Sequence, residues 1–187
     1  MTRLIVSGDN GGPVRWGSPV YLCVNSRAIA SAEVAALDGS GRLLHIEHFR
    51  PLGISAEHAI AVRKLALLEI IFHAMSLEAA LCRITVSLHY RAPGEDEGIA
   101  EAAARASFLR SFGATEITVV PDVAQKRAGQ YVVNAIWEPH PTALQMLEEC
   151  LALEQARYKR FTTSPSLQRR MKQWLRPVTQ RLRAANP

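Results

Sequence analysis

Two periodicities divide this chain. After a brief apolar start at Leu4 to Val6, residues 1–19 carry Gly8, Gly11, Gly12, Pro13, Gly17 and Pro19, which is loop chemistry. The apolar run Val20 to Asn25 predicts a short strand. Ala30 to Leu37 and Arg42 to Phe49 flank Asp38-Gly39-Ser40-Gly41, and two apolar arms around a short glycine turn predict a hairpin. Alternation in the second arm places Leu43, His45, Glu47 and Phe49 on one face and Leu44, Ile46 and His48 on the other. Apolar residues on both faces suit a central strand covered on each side.

Pro51-Leu52-Gly53 ends that strand, and Ser55 stands where an N-cap belongs, with Glu57 in the first turn. The helix it predicts runs to about Met75, with Leu65, Leu68, Phe72 and Met75 as its core stripe. Cys82, Ile84, Val86, Leu88 and Tyr90 then alternate with Arg83, Thr85, Ser87 and His89, a period-two strand. Arg91 to Gly98 reads as a polar loop, Ile99 to Phe112 as an Ala-rich helix stopped by Gly113. Thr115 to Val120 and Gln130 to Trp137 are β-rich. Beyond Pro139 and Pro141, Leu144, Leu147, Leu151 and Tyr158 mark a helix with one apolar stripe. Thr162-Thr163-Ser164-Pro165 resembles a cap and first turn, leading to a last helix with Leu167, Met171, Trp174 and Leu175 on one side. The expected fold class is α/β (α+β). Residues 1–19 are its lead-in, 20–139 its main domain and 140–187 a basic helical extension.

Composition narrows the class. A hydrophobic fraction of 48% over 187 residues supports a core without disulfide staples. Cys23, Cys82 and Cys150 lie far apart with no CxxC pairing, which suits a reducing compartment. Arg3, Asp9 and Arg15 interrupt any signal-peptide core. Arg63, Lys64, Glu69 and His73 interrupt the longest apolar helix, so a cytoplasmic protein without a membrane span is expected. The net charge of +5 is unevenly spread. Arg157 to Arg183 holds nine basic residues and no acidic one, and the preceding residues balance to −4. A cationic tail of this kind can meet an anionic partner, or dock on the acidic body of its own or a twin subunit in a homodimer.

The order of elements from Val20 to Trp137 resembles the central part of the GNAT (GCN5-related N-acetyltransferase) superfamily, in divergent form. The nearest local likeness is Ala102 to Val120, AAARASFLRSFGATEITVV, which is similar to the family's penultimate helix and the strand after it. The resemblance implies a mixed, mostly antiparallel central sheet flanked by helices, and an N-acyltransferase that takes an acyl group from acetyl-CoA or another acyl-CoA to an amine. It implies that the pantetheine arm runs along a splayed strand pair and that the pyrophosphate meets the N-terminus of the next helix, where unpaired N–H groups attract anions. The corresponding turn here is Arg50, Gly53, Ile54, Ser55 and Ala56; it lacks the family's second glycine and its usual Arg. The Tyr that the family often uses as an acid falls on Leu109, and an upstream Asn on Ala102. Glu47 stands where the family often places its base, and His45 and His89 join it as candidates for proton transfer.

The same residues carry plainer readings: a Glu and a His one strand step apart also satisfy each other structurally. His45 and His48, three apart on a strand, face opposite ways and make no metal pair, so no metal site is expected. No GxSxG surrounds Ser55 or Ser87, and the Gly8 to Gly12 stretch lacks the ending of a P-loop. Two other functions stay open: a non-catalytic GNAT-like binding protein, and an adaptor that meets nucleic acid or another anionic surface through Arg157 to Arg183 and Trp174.

Overall fold

The computed structural model describes residues 4–15, 17–37, 43–53, 56–78, 83–91, 95–122 and 130–163. Seven strands, β1 (Leu4–Ser7), β2 (Pro19–Val24), β3 (Arg27–Ala36), β4 (Leu43–Pro51), β5 (Arg83–Arg91), β6 (Thr115–Pro121) and β7 (Gln130–Trp137), form one sheet. Their order is β1-β2-β3-β4-β5-β7-β6. Three helices accompany them: α1 (Ala56–Glu78), α2 (Glu95–Ser111) and α3 (Pro141–Thr163). Among the described residues only β4 and β5 pair in parallel, and α1 supplies the long crossover that a parallel pair requires. The sheet is therefore mixed and mostly antiparallel, as the resemblance implies.

One buried cluster joins the helices to one side of the sheet. Val20 and Leu22 of β2, Ala30, Ala32 and Val34 of β3, Leu44 and Ile46 of β4, and Val133, Ala135 and Trp137 of β7 enter it. The register aligns these residues on a single face. Leu65, Ala66, Leu67 and Leu68 of α1 are all buried. Four consecutive residues cannot share one helix face, so α1 packs against the sheet on one side and α3 on another. Phe72, expected in the core stripe, is 41% exposed, and Ile71 and Ala74 beside it are the buried residues of that turn. Trp137, with no exposed surface, donates its indole N–H to the Phe112 carbonyl at 2.9 Å and locks the end of α2 onto β7.

Several boundaries differ from the sequence reading. The apolar start Leu4 to Val6 is an edge strand paired with β2. Residues 95–98, read as loop, form the first turn of α2, where Asp96 and Glu97 place negative charge at the positive helix end. Thr162 and Thr163, read as a cap, still belong to α3, while Ser164 and Pro165 lie outside the described residues. Cys23 is partly buried with its sulfur 3.3 Å from the Ser7 hydroxyl; Cys82 lies outside the described residues. Arg157 turns back on the buried Glu154 of the same helix, so the first cation of the basic run neutralises its own core. Among the described residues, no helix is long and apolar enough to cross a membrane.

Candidate active site

The site forms where two parallel strands part. β4 and β5 are each nine residues long, but they pair only from Leu43↔Arg83 to Ile46↔Val86. Beyond Ile46, β4 continues to Pro51 with no β5 partner. The cause is local: between the pairs Glu33↔Glu47 and Ser31↔Arg50, His48 and Phe49 of β4 stand opposite Ala32 of β3 alone. This two-against-one step is a β-bulge, which bends its strand and sharpens the twist. His48 sits at its centre in the left-handed region, with φ 53°.

The bulge changes which side chains meet. Simple alternation puts His48 on the face of Leu44 and Ile46, but the left-handed residue turns it back. His48 Nε2 lies 3.5 Å from Glu47 Oε1, and His45 Nε2 lies 3.7 Å from Glu47 Oε2. The Glu47 carboxylate is thus bracketed by two imidazoles, all three half-exposed on the sheet face away from the buried cluster. Coverage of β4 on both sides, expected from its sequence, holds only on the helix side among the described residues. His89 stands opposite Val132, whereas His45 stands opposite Thr85. Four strand positions separate Thr85 from His89, about 13 Å of backbone. The structure therefore joins His45 and Glu47 and adds His48, while His89 lies further along β5.

Beside this cluster is a cavity of about 340 Å³. Residues 17–19, the Glu33–Ala35 stretch of β3, and His45 and Glu47 line it. The Gly17 N–H donates to the Val34 carbonyl at 2.7 Å and pins the loop over the strand. A larger cavity of about 430 Å³ lies between the end of α1 and the start of α3, far along the chain from this cluster, with Phe72, Met75 and Leu144 in its wall.

At the open end of the strand wedge, Leu52 donates its N–H to the Ile29 carbonyl, and the chain turns at Gly53 with φ 62° before α1 begins at Ala56. A side chain at Gly53 would be strained by that backbone and would meet Arg27 Nη2 at 3.1 Å. Arg27, which opens β3, was not legible as a site residue, because twenty-five residues of sequence separate it from the turn it reaches. Its charge also acts on Tyr158 of α3, whose hydroxyl is raised above its usual range by burial and drawn back by Arg27. Arg50 lies 3.5 Å from Glu33. Ile54 and Ser55 lie outside the described residues. Leu109 and Ala102, where the family's acid and Asn would fall, are buried in the core and offer no proton donor.

No family model and no curated protein matches the sequence. Among solved structures, similar chains include a protein from Desulfovibrio desulfuricans assigned to the GNAT family of acetyltransferases (TM-score 0.42, 11% identity, 65% of this chain and 67% of that one). Two CoA-dependent acyl-homoserine lactone synthases are also similar. MesI gives a TM-score of 0.42 at 10% identity over 80% of this chain and 78% of its own. BjaI, solved with MTA, gives 0.41 at 10% identity over 77% and 71%. The order of elements on which the sequence resemblance rests is the order the structure has.

Proposed function

We propose that this chain transfers an acyl group from an acyl-CoA, acetyl-CoA being the simplest, to an amine. The observation that carries this reading is the parting of β4 and β5 after Ile46↔Val86, with Glu47 at the vertex and the start of α1 at the open end. Strand backbone without a neighbouring strand seeks hydrogen-bond partners, and the amide-bearing arm of an acyl-CoA supplies them. Arg27, with Arg50 and the positive end of α1, would face the phosphates across the Gly53 turn.

Glu47 is the group to take the proton as the amine attacks, directly or through water, with His45 and His48 beside it. The nitrogen lone pair bonds to the thioester carbon and the carbonyl oxygen takes negative charge, which backbone N–H groups of β4 would stabilise. The C–S bond then breaks, and the thiolate leaves and is protonated from solvent, since Leu109 can supply nothing. That last feature is also what favours a second reading, a GNAT-like protein that binds without catalysing.

Calorimetric titration of the full chain with acetyl-CoA, CoA and a longer acyl-CoA tests the proposal. Micromolar binding that Gly53→Glu weakens is the expected result. Binding of no CoA species would overturn it, and tight binding without transfer to any amine would decide for the second reading. Where transfer occurs, Glu47→Gln should lower kcat by roughly a hundredfold or more, the scale of a lost general base.

A further inference from the structure

We propose that this chain pairs with a second copy of itself through the outward face of α3, the two helices running antiparallel about a twofold axis. This pairing is independent of the acyl-transfer reading. α3 buries Ala143, Leu147, Leu151 and Glu154 against the rest of the chain. At about 100° per residue, the opposite face carries Glu149, Leu153, Ala156 and Arg160. All four are exposed, Leu153 to 52%. Their alternating spacing of four and three residues is the one that keeps a seam of one helix against another.

The order of residues along that seam selects the partner. It runs acid, Leu, Ala, base from the start of α3 towards its end. Glu149 and Arg160 are eleven residues apart, about 16 Å of helix, and cannot meet within one chain. Turned end for end, the same seam complements itself: Glu149 faces the partner's Arg160, and Leu153 faces the partner's Ala156. A twofold makes each contact twice, so two ion pairs flank two Leu–Ala contacts. Glu149 accepts a hydrogen bond from Gln145 at 2.9 Å, one turn back, and a carboxylate can accept more than one. The small Ala156 lets the helix axes approach to about 8–10 Å, the usual contact distance. The helix layer lies on the far side of the sheet from Glu47, so the pairing leaves both candidate active sites open. One helix face is a small contact, so the dimer is expected to be weak and screened by salt.

Sedimentation of the full chain over a concentration series tests the pairing. The parent should pass from monomer to dimer as concentration rises, and added salt should move the midpoint upward. Glu149→Arg makes the seam all cationic, and Arg160→Glu makes it all acidic. Each alone should weaken self-association roughly tenfold or more, since two ion pairs become two like-charge contacts. Mixed in equal amounts, the two variants should associate again as a heterodimer, because each supplies the charge that the other lacks. Leu153→Glu should weaken association in every combination. All three positions are exposed, so the variants should keep the circular dichroism of the parent. A parent that stays monomeric at every concentration overturns the proposal and leaves the face to residues 164–187 or to another protein. So does self-association that neither charge reversal changes, or a loss in the single variants that their mixture fails to restore.

Discussion

At the scale of single residues, His48 decides the shape of the site. A left-handed backbone at a residue with a Cβ costs about 1–2 kcal/mol, and such strain persists only where its surroundings enforce it. His48→Gly and His48→Ala both remove the imidazole, but only Gly relaxes at φ 53°. The Gly variant should therefore be about 1 kcal/mol more stable than the Ala variant in urea unfolding. Equal stability of the two would mean that the bulge backbone is unstrained. The sequence made Glu47 and His45 legible as neighbours, because residues two apart on a strand share a face. It hid His48, because alternation assumes a regular ladder and one extra residue in β4 reverses the count. It hid Arg27 for another reason: contacts across the sheet leave no local trace in a single chain.

At the scale of elements, the helix layer hangs on close approaches between helices. Gly113 ends α2 with φ 89°, and a Cβ there would stand 2.9 Å from the Ala143 Cβ and 3.0 Å from its Cα on α3. Both the backbone and the contact demand glycine. Gly113→Ala should cost about 2–3 kcal/mol, from left-handed strain and from pushing α3 off the end of α2. Ala143→Gly in the same chain removes one of the two clashing atoms, so it should recover part of that loss in urea unfolding. If Gly113→Ala alone left stability unchanged, the α2–α3 contact would be looser than the structure has it. The periodicities located all three helices, since a stripe at helical spacing has few other solutions. They could not say that α1 is covered from two directions, and they carried Phe72 into the core where Ile71 and Ala74 are the residues buried.

At the scale of the whole molecule, two titrating groups on α1 give stability opposite pH dependences. Burial raises Glu69 above its ordinary 4.5, against the opposing hydrogen bond donated by Gln155 of α3 at 2.8 Å. Its contribution is fully present below 4.5 and is lost as pH rises through the raised value. Burial lowers His73 below its ordinary 6.5, so its contribution is present above 6.5 and is lost as pH falls through the lowered value. Glu69→Gln should therefore raise the urea midpoint at neutral pH and leave it unchanged below pH 4.5. His73→Gln should flatten the fall in stability below pH 6.5. A Glu69→Gln gain that persisted in acid would show that packing, not charge, sets the effect. The sequence by itself determined the alternation of strands and helices and the presence of Glu47 and His45 on one strand face, because local periodicity is written residue by residue. Only the tertiary structure decided that β4 and β5 part after four pairs, that His48 turns to meet Glu47, that Glu33 stands opposite it and that Arg27 reaches the Gly53 turn. Those contacts depend on a bulge and on cross-strand register, and register is fixed by how the strands pack, not by any one segment's pattern.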